Sequence, residues 1–272
     1  MSTPLRQVAL FAGLCLAVPS HAAEPFDHGY AAYAAVLRAH VTPPRVDYAR
    51  LKSNRASLDR SVADFDAVGT HGERAWSREQ RMAFWINAYN AFTLRAIVDH
   101  YPIRSAVLTR HPRNSIRQID GVWTTLTWRA AGRSVTLDDI EHRILRPEFK
   151  DARIHFAVNC ASVGCPPLAL EPYRARTLDA QLDTAARTYL ASGEGVQVTG
   201  SVLGVSSIFK WYGDDFIAQH AGGRAGGASA KASAILDVIV KYGPADAAAL
   251  ARAPGARVRY LDYNWALNDT RR

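Results

Sequence analysis

Residues 77–99 constrain the fold more than any other stretch. Ser77 is placed to cap a helix, and Gln80, three residues on, completes a capping box. Met82, Ile86, Tyr89, Thr93 and Ile97 then fall on one stripe, while Phe84, Trp85, Phe92, Leu94 and Val98 fill most of the remaining faces. A helix that is apolar nearly all round has no side to turn to water, so it must run through the middle of its domain. Asn87 and Asn90 sit three apart inside this surface, and their amides therefore need partners in the core. His100-Tyr101-Pro102 ends the helix.

The flanking sequence supplies elements to wrap it. Tyr30, Tyr33, Ala34 and Leu37 have helical spacing over 26–40, and Pro43-Pro44 stops that helix. Val46-Asp47-Tyr48 reads as a short extended piece, followed by a polar helix over 49–68. Thr136 is placed to cap a helix running to Leu145 and ended by Pro147; its stripe of Leu137, Ile140, Ile144 and Leu145 includes Glu141, with His142 at the edge. A carboxylate on a core-facing position needs a partner such as Arg143, Arg146, Arg153 or a histidine. Residues 154–158 alternate as a central strand, 177–190 form an amphipathic helix and 196–199 a strand. Helices over 207–219 and 233–242 and a strand over 258–263 complete the pattern, with a Gly- and Ala-rich loop at 221–232. The expected fold class is α/β of the α+β kind, a single compact domain over 23–272 in which a central buried helix packs on a small mixed sheet.

The start of the chain reads as a secretory signal. Arg6 gives a positive beginning, residues 8–18 an apolar run, and Ser20-His21-Ala22 a small-residue site, so cleavage after Ala22 and a periplasmic or secreted location are expected. The apolar run is well short of the ~20 residues a spanning helix needs, and no transmembrane segment is expected in the mature chain. The net charge is +8, but the arginines are scattered and no basic strip carries interleaved aromatics, so nucleic acid is not an expected partner. A small-molecule or peptide substrate fits better.

Once the leader is removed, only Cys160 and Cys165 remain. In an oxidising compartment a close pair can form a disulfide. A loop this short stabilises by only about 2 kcal/mol in the chain-entropy picture, which tilts the reading toward a role other than stability. Cys160 follows an apolar run and stands among Ala161, Ser162 and Gly164, small neighbours that leave backbone N–H groups free for an oxyanion. As a nucleophile it needs a base, His155 or His142, and an orienting group, Glu141 or Asn90; Asn159 would help hold the oxyanion. The same sulfur also fits a dithiol–disulfide couple with Cys165, or an inert core position in a non-catalytic binding module. His142, His155, Cys160 and Cys165 could be assembled around zinc, but their spacing matches no common zinc pattern, and neither metal nor cofactor is expected. No Gly-rich phosphate loop follows a strand and no Gly-x-Ser-x-Gly elbow occurs.

Several motifs together resemble a family. Phe84-Trp85-Ile86-Asn87-Ala88-Tyr89-Asn90, Asp139-Ile140-Glu141-His142 and His155-Phe156-Ala157-Val158-Asn159-Cys160 through Cys165-Pro166-Pro167 are similar to bacterial members of the family catalogued as domain of unknown function 547. Val46-Asp47-Tyr48, the run Ser206 to Tyr212 and the run Leu261 to Asn268 extend the likeness over nearly the whole mature chain. The resemblance implies a family designation without an activity. The reading of the residues themselves favours a thiol-dependent hydrolase or acyl or amide transferase built on Cys160, with the redox couple as its alternative.

Overall fold

The computed structural model describes residues 26–70, 72–104, 110–220 and 230–271. The expected leader with its cut after Ala22, and most of the Gly- and Ala-rich patch, lie outside the described residues. Among the described residues no helix is long and apolar enough to cross a membrane.

The chain opens with α1 (Ala31–His40), a two-stranded hairpin of β1 (Val41–Thr42) and β2 (Arg45–Val46), then α2 (Tyr48–Ser53) and α3 (Ala56–Ala67). The polar helix expected over 49–68 is thus two helices. Asp47 caps the first through its side chain on the Arg50 N–H, and the break falls at Asn54-Arg55.

The 23-residue α4 (Arg78–His100) is the central helix, and the Ser77–Gln80 capping box forms as the spacing required. Met82 to Leu94 are buried without interruption. Both core amides are satisfied in the same two-handed way. Asn87 donates to the Tyr173 carbonyl at 2.8 Å and accepts from the Tyr173 N–H at 2.9 Å. Asn90 donates to the Ala157 carbonyl at 3.0 Å and accepts from the Asn159 N–H at 2.8 Å. The amides of α4 therefore act as brackets that hold two irregular segments against the core.

After the antiparallel pair β3 (Trp128–Ala130) and β4 (Arg133–Val135) comes the helix carrying Glu141. Thr136 and Asp139 bond each other reciprocally at its start. The helix is a π-helix over Asp139–Phe149, and it runs through Pro147 instead of stopping there. Proline breaks an α-helix because its ring meets the carbonyl four residues back; a wider turn eases that clash.

The strand expected over 154–158 is instead a 3-10 turn, Ala152–Phe156. Asp151 caps it through the Arg153 N–H, and Ile154, Ala157 and Val158 find local carbonyl partners, so no neighbouring strand is needed. A short apolar run cannot by itself tell a strand from a buried helical turn.

The remainder is α5 (Leu178–Leu190), β5 (Val196–Thr199), β6 (Val202–Val205), α6 (Ile208–Trp211), α7 (Gly213–His220), α8 (Ala230–Tyr242), α9 (Ala245–Arg252) and β7 (Arg257–Tyr260). The last three strands form a mixed sheet in the order β5-β6-β7, antiparallel then parallel. The expected α+β class with a buried central helix describes the chain, but the small mixed sheet does not carry that helix: α4 lies in one apolar cluster and the mixed sheet in the other.

Two apolar clusters result, one around α4 and one around α5, α8 and the mixed sheet. The 152–158 segment lies at their seam: Ile154, Ala157 and Val158 belong to the first cluster, Ala152 and Phe156 to the second. The C-terminal strap closes over the same place. Gly164 N–H donates to Asn264 O at 2.9 Å, Val163 N–H to Ala266 O at 2.8 Å, and Asn268 N–H to Ala161 O at 3.0 Å.

Candidate functional site

Three segments meet at this seam, and a cavity of about 530 Å³ opens between them. The π-helix and the Asp138 that precedes it contribute Asp138, Glu141, His142 and Arg146; the 3-10 turn and the loop after it contribute His155, Val158, Cys160, Cys165 and Pro166. Trp211, Tyr263 and Trp265 pack ring against ring in the lining, Arg117 and Trp123 lie against Trp265, and Tyr212 lies against His155.

On one side lies sulfur. Cys160 and Cys165 are joined in a disulfide with their Cα atoms 6.1 Å apart. Cys160 is partly exposed and Cys165 buried. Hydrogen-bond donors gather on the pair. The Cys160 N–H donates to Cys165 Sγ at 2.9 Å. The Tyr263 hydroxyl lies 3.1 Å from Cys165 Sγ and 3.2 Å from Cys160 Sγ. The Ser162 hydroxyl lies 3.4 Å and 3.1 Å from the same two atoms. Burial holds the Tyr263 phenol well above its ordinary range, against a smaller opposing effect of the Ser162 hydrogen bond, so it remains an O–H donor.

The loop is held in an unusual shape to achieve this. Ala161 has φ of 59°, a left-handed conformation that costs a residue with a Cβ about a kcal/mol or more. Asn159 stabilises it by accepting from the Ala161 N–H at 2.8 Å while donating to the Pro166 carbonyl at 2.7 Å. A Cβ at position 164 would come within 3.0 Å of the Asn264 N and 3.2 Å of the Tyr263 ring, so glycine there lets the strap approach closely.

On the other side lies a charge network. Asp215, from α7, accepts from Arg146 Nε at 2.6 Å and Nη2 at 3.1 Å and faces His155 Nε2 at 2.8 Å. Burial alone would raise the Asp215 carboxyl, but the bonds from His155 and Arg146 outweigh it and hold the group well below the usual carboxylate range. An ionised carboxylate only accepts, so His155 Nε2 is the donor of this bond. Arg146 Nη1 also donates to His142 Nδ1 at 3.0 Å, which puts the His142 proton on Nε2, 3.7 Å from Asp138. Burial raises the Asp138 carboxyl, partly offset by His142. Glu141 is buried with Oε1 3.8 Å from His155 Nδ1, and neither of those two atoms has a hydrogen-bond partner. The phenols of Tyr89 and Tyr212 are both pushed up, first by burial and then by the Glu141 charge. The Tyr212 ring stacks on His155 with centroids 3.9 Å apart.

Of the residues singled out from the sequence, Cys160, His155, His142 and Glu141 all line this cavity. Asn90 does not; its amide is spent on the backbone at 157 and 159. The Asn159 side chain is likewise committed within its own loop. The arginines considered for Glu141 bond elsewhere: Arg143 to Asp139, Arg153 to Asp151, Asp179 and Asp183, and Arg146 to Asp215. Asp215, Tyr263 and Ser162 are additions that sequence reasoning missed. The one signal for Asp215 was its place two residues after the Tyr212-Gly213 end of an aromatic motif.

An α+β scaffold with a disulfide and an ionised carboxylate–imidazole network facing one cavity is thus in place. The family model described as "Protein of unknown function, DUF547" matches residues 74–190, which supports membership of that family. No curated protein and no solved structure matches the chain. The matched stretch carries α4, the π-helix and the cysteine loop, while Tyr212, Asp215 and Tyr263 come from beyond it.

Proposed function

We propose that the chain performs thiol–disulfide exchange through Cys160 and Cys165. The observation that carries this reading is the setting of the pair: both cysteines line the cavity, Cys160 is the more exposed residue, the Tyr263 and Ser162 hydroxyls lie against both sulfurs, and the Cys160 N–H donates to Cys165 Sγ. A substrate thiolate attacks Cys160 Sγ, the Cys160–Cys165 bond breaks, and its electron pair leaves on Cys165. The Cys160 N–H and the Tyr263 and Ser162 hydroxyls stabilise that thiolate, which lowers the barrier to departure. A second substrate thiolate attacks the substrate sulfur of the mixed disulfide and releases Cys160 as thiolate. Two substrate thiolates have become one disulfide, and the protein disulfide has become a dithiol. A different disulfide compound restores the pair by the same two steps reversed.

Hydrolysis or acyl transfer by Cys160 is the weaker reading. It needs an imidazole nitrogen on the thiol, whereas the nitrogens of His155 face Asp215 and Glu141 and those of His142 face Arg146 and Asp138. We further propose that the chain is exported, on the strength of its leader-like first residues, and works where disulfides persist.

The test is exchange between a small thiol and a chromogenic disulfide, followed with and without the protein. Acceleration by the wild type, abolished alike by Cys160→Ser and Cys165→Ser, supports the proposal. Full activity in Cys165→Ser would remove it, because a dithiol couple needs both sulfurs.

A further inference from the structure

Asn159 and Pro166 flank the disulfide, one residue outside Cys160 and Cys165. The Asn159 amide spans the base of the loop, donating to the Pro166 carbonyl at 2.7 Å and accepting from the Ala161 N–H at 2.8 Å. A hydrogen-bonded rung therefore runs beside the disulfide rung and joins the same two chain segments without using sulfur. Asn159 is 2% exposed, so water does not compete for these bonds. It is itself anchored to the core, because its backbone N–H donates to Asn90 of α4 at 2.8 Å.

The rest of the loop is held in the same manner. Val163 and Gly164 donate to the C-terminal strap, the Ala161 carbonyl accepts from Asn268, and the Cys165 N–H closes a turn on the Ser162 carbonyl at 3.1 Å. None of these bonds ends on sulfur, so opening the disulfide removes none of them. They keep the Cα atoms of Cys160 and Cys165 at their 6.1 Å separation whether or not the sulfurs are joined. Ala161 is the weak point, since its φ of 59° is a conformation that a residue with a Cβ leaves readily. The Asn159 side chain is what holds it there.

We infer that Asn159 is the positioning residue of the open, dithiol state, holding the loop in its closing shape so that Cys165 re-forms the disulfide without a search. The step it serves is the one by which a disulfide compound restores the pair. With that compound joined to Cys160 as a mixed disulfide, the Cys165 thiolate attacks Cys160 Sγ. The Cys160–Cys165 bond forms, the bond to the compound's sulfur breaks, and its electron pair leaves there as a thiolate. Folding has already brought the two sulfurs together, so one acts on the other at an effective concentration above the millimolar range of a short flexible linker. Without the rung the open loop spreads, and closure has to order it again. This assignment rests on the exchange reading and names the residue that sets its equilibrium.

The experiment equilibrates the folded protein with mixtures of reduced and oxidised glutathione, quenches in acid and counts free thiols, which gives the equilibrium constant for closing the pair. Asn159→Ala should lower that constant by about tenfold, a shift of about 30 mV toward easier reduction. Asn159→Asp keeps the acceptor for Ala161 but loses the donor to Pro166, and should shift it in the same direction. Asn87→Ala is the control: it removes an equally buried amide that brackets Tyr173, away from the cysteine loop, so it should lower stability and leave the constant unchanged. An unchanged constant in either folded Asn159 variant, or an equal shift in Asn87→Ala, overturns the inference. Amide hydrogen exchange on the wild type adds an arm that needs no substitution. The N–H groups of Ala161, Val163 and Gly164 should be equally protected in the oxidised and reduced protein, and loss of protection on reduction overturns the inference while exchange stands. If no thiol opens the native pair, the exchange reading falls, and the same amides in a Cys160→Ala, Cys165→Ala double variant decide the positioning role. Protection kept there upholds it; protection lost overturns it.

Discussion

The Tyr263 hydroxyl lies 3.1 Å from the sulfur of Cys165, although 98 residues separate the two in sequence. The strap that delivers this hydroxyl is bonded to the cysteine loop at Val163, Gly164 and Ala161, so the donor is fixed before any reaction begins. A donor already aimed at the atom where charge will develop needs no reorganisation when the disulfide opens.

Replacing Tyr263 by Phe should therefore slow disulfide opening by roughly tenfold, the worth of one hydrogen bond to an ionised group. Fold and ring packing should persist, since the ring stays in place against Trp211 and Trp265. Stopped-flow reduction by a small thiol, with thermal melting as the control, measures both.

Asp215→Asn should lower stability by about 1–2 kcal/mol, less than a fully buried pair would cost, because the carboxylate is partly open to solvent. The sign of its pH dependence follows from the depressed folded-state carboxyl. The stabilisation is full above the unfolded carboxyl's value of about 3.9 and is lost as pH falls from there toward and through the folded value. Denaturant titrations of wild type and variant should thus differ by a constant amount from neutral pH down to about 5 and converge in stronger acid.

Much of this frame was legible in the sequence. Ser77 and Gln80 announced α4, its uninterrupted apolar surface announced its central place, and Asn87 and Asn90 had to find core partners because nothing polar surrounds them. Glu141 was legible as a buried acid from its neighbours Ile140, Ile144 and Leu145. What stayed hidden was set by tertiary contact. The 154–158 run has the same apolar content as a strand or a buried turn, and the Asn90 bracket and the Asp151 cap decide between them. Asp215 meets His155 across 60 residues of sequence, a pairing no local pattern records. The break between α6 and α7 at Tyr212-Gly213, which aims Tyr212 and Asp215 at the same imidazole, is equally silent.

Asn90→Ala should cost about 2–4 kcal/mol, since it leaves the Ala157 carbonyl and the Asn159 N–H buried without partners. Chemical denaturation gives the loss directly. The oxidised pair should become easier to reduce in the same variant, because the segment leading into Cys160 is no longer held against α4; counting free thiols after a brief exposure to reductant checks this.

The most direct measurement is to treat the native, oxidised protein briefly with a small thiol, quench in acid and locate the adduct by peptide mass spectrometry. Exchange through the partly exposed Cys160, with the buried Cys165 as leaving group, predicts a mixed disulfide on Cys160 and Cys165 recovered as the free thiol. An adduct found on Cys165, or a disulfide that yields only after the protein is unfolded, would contradict it.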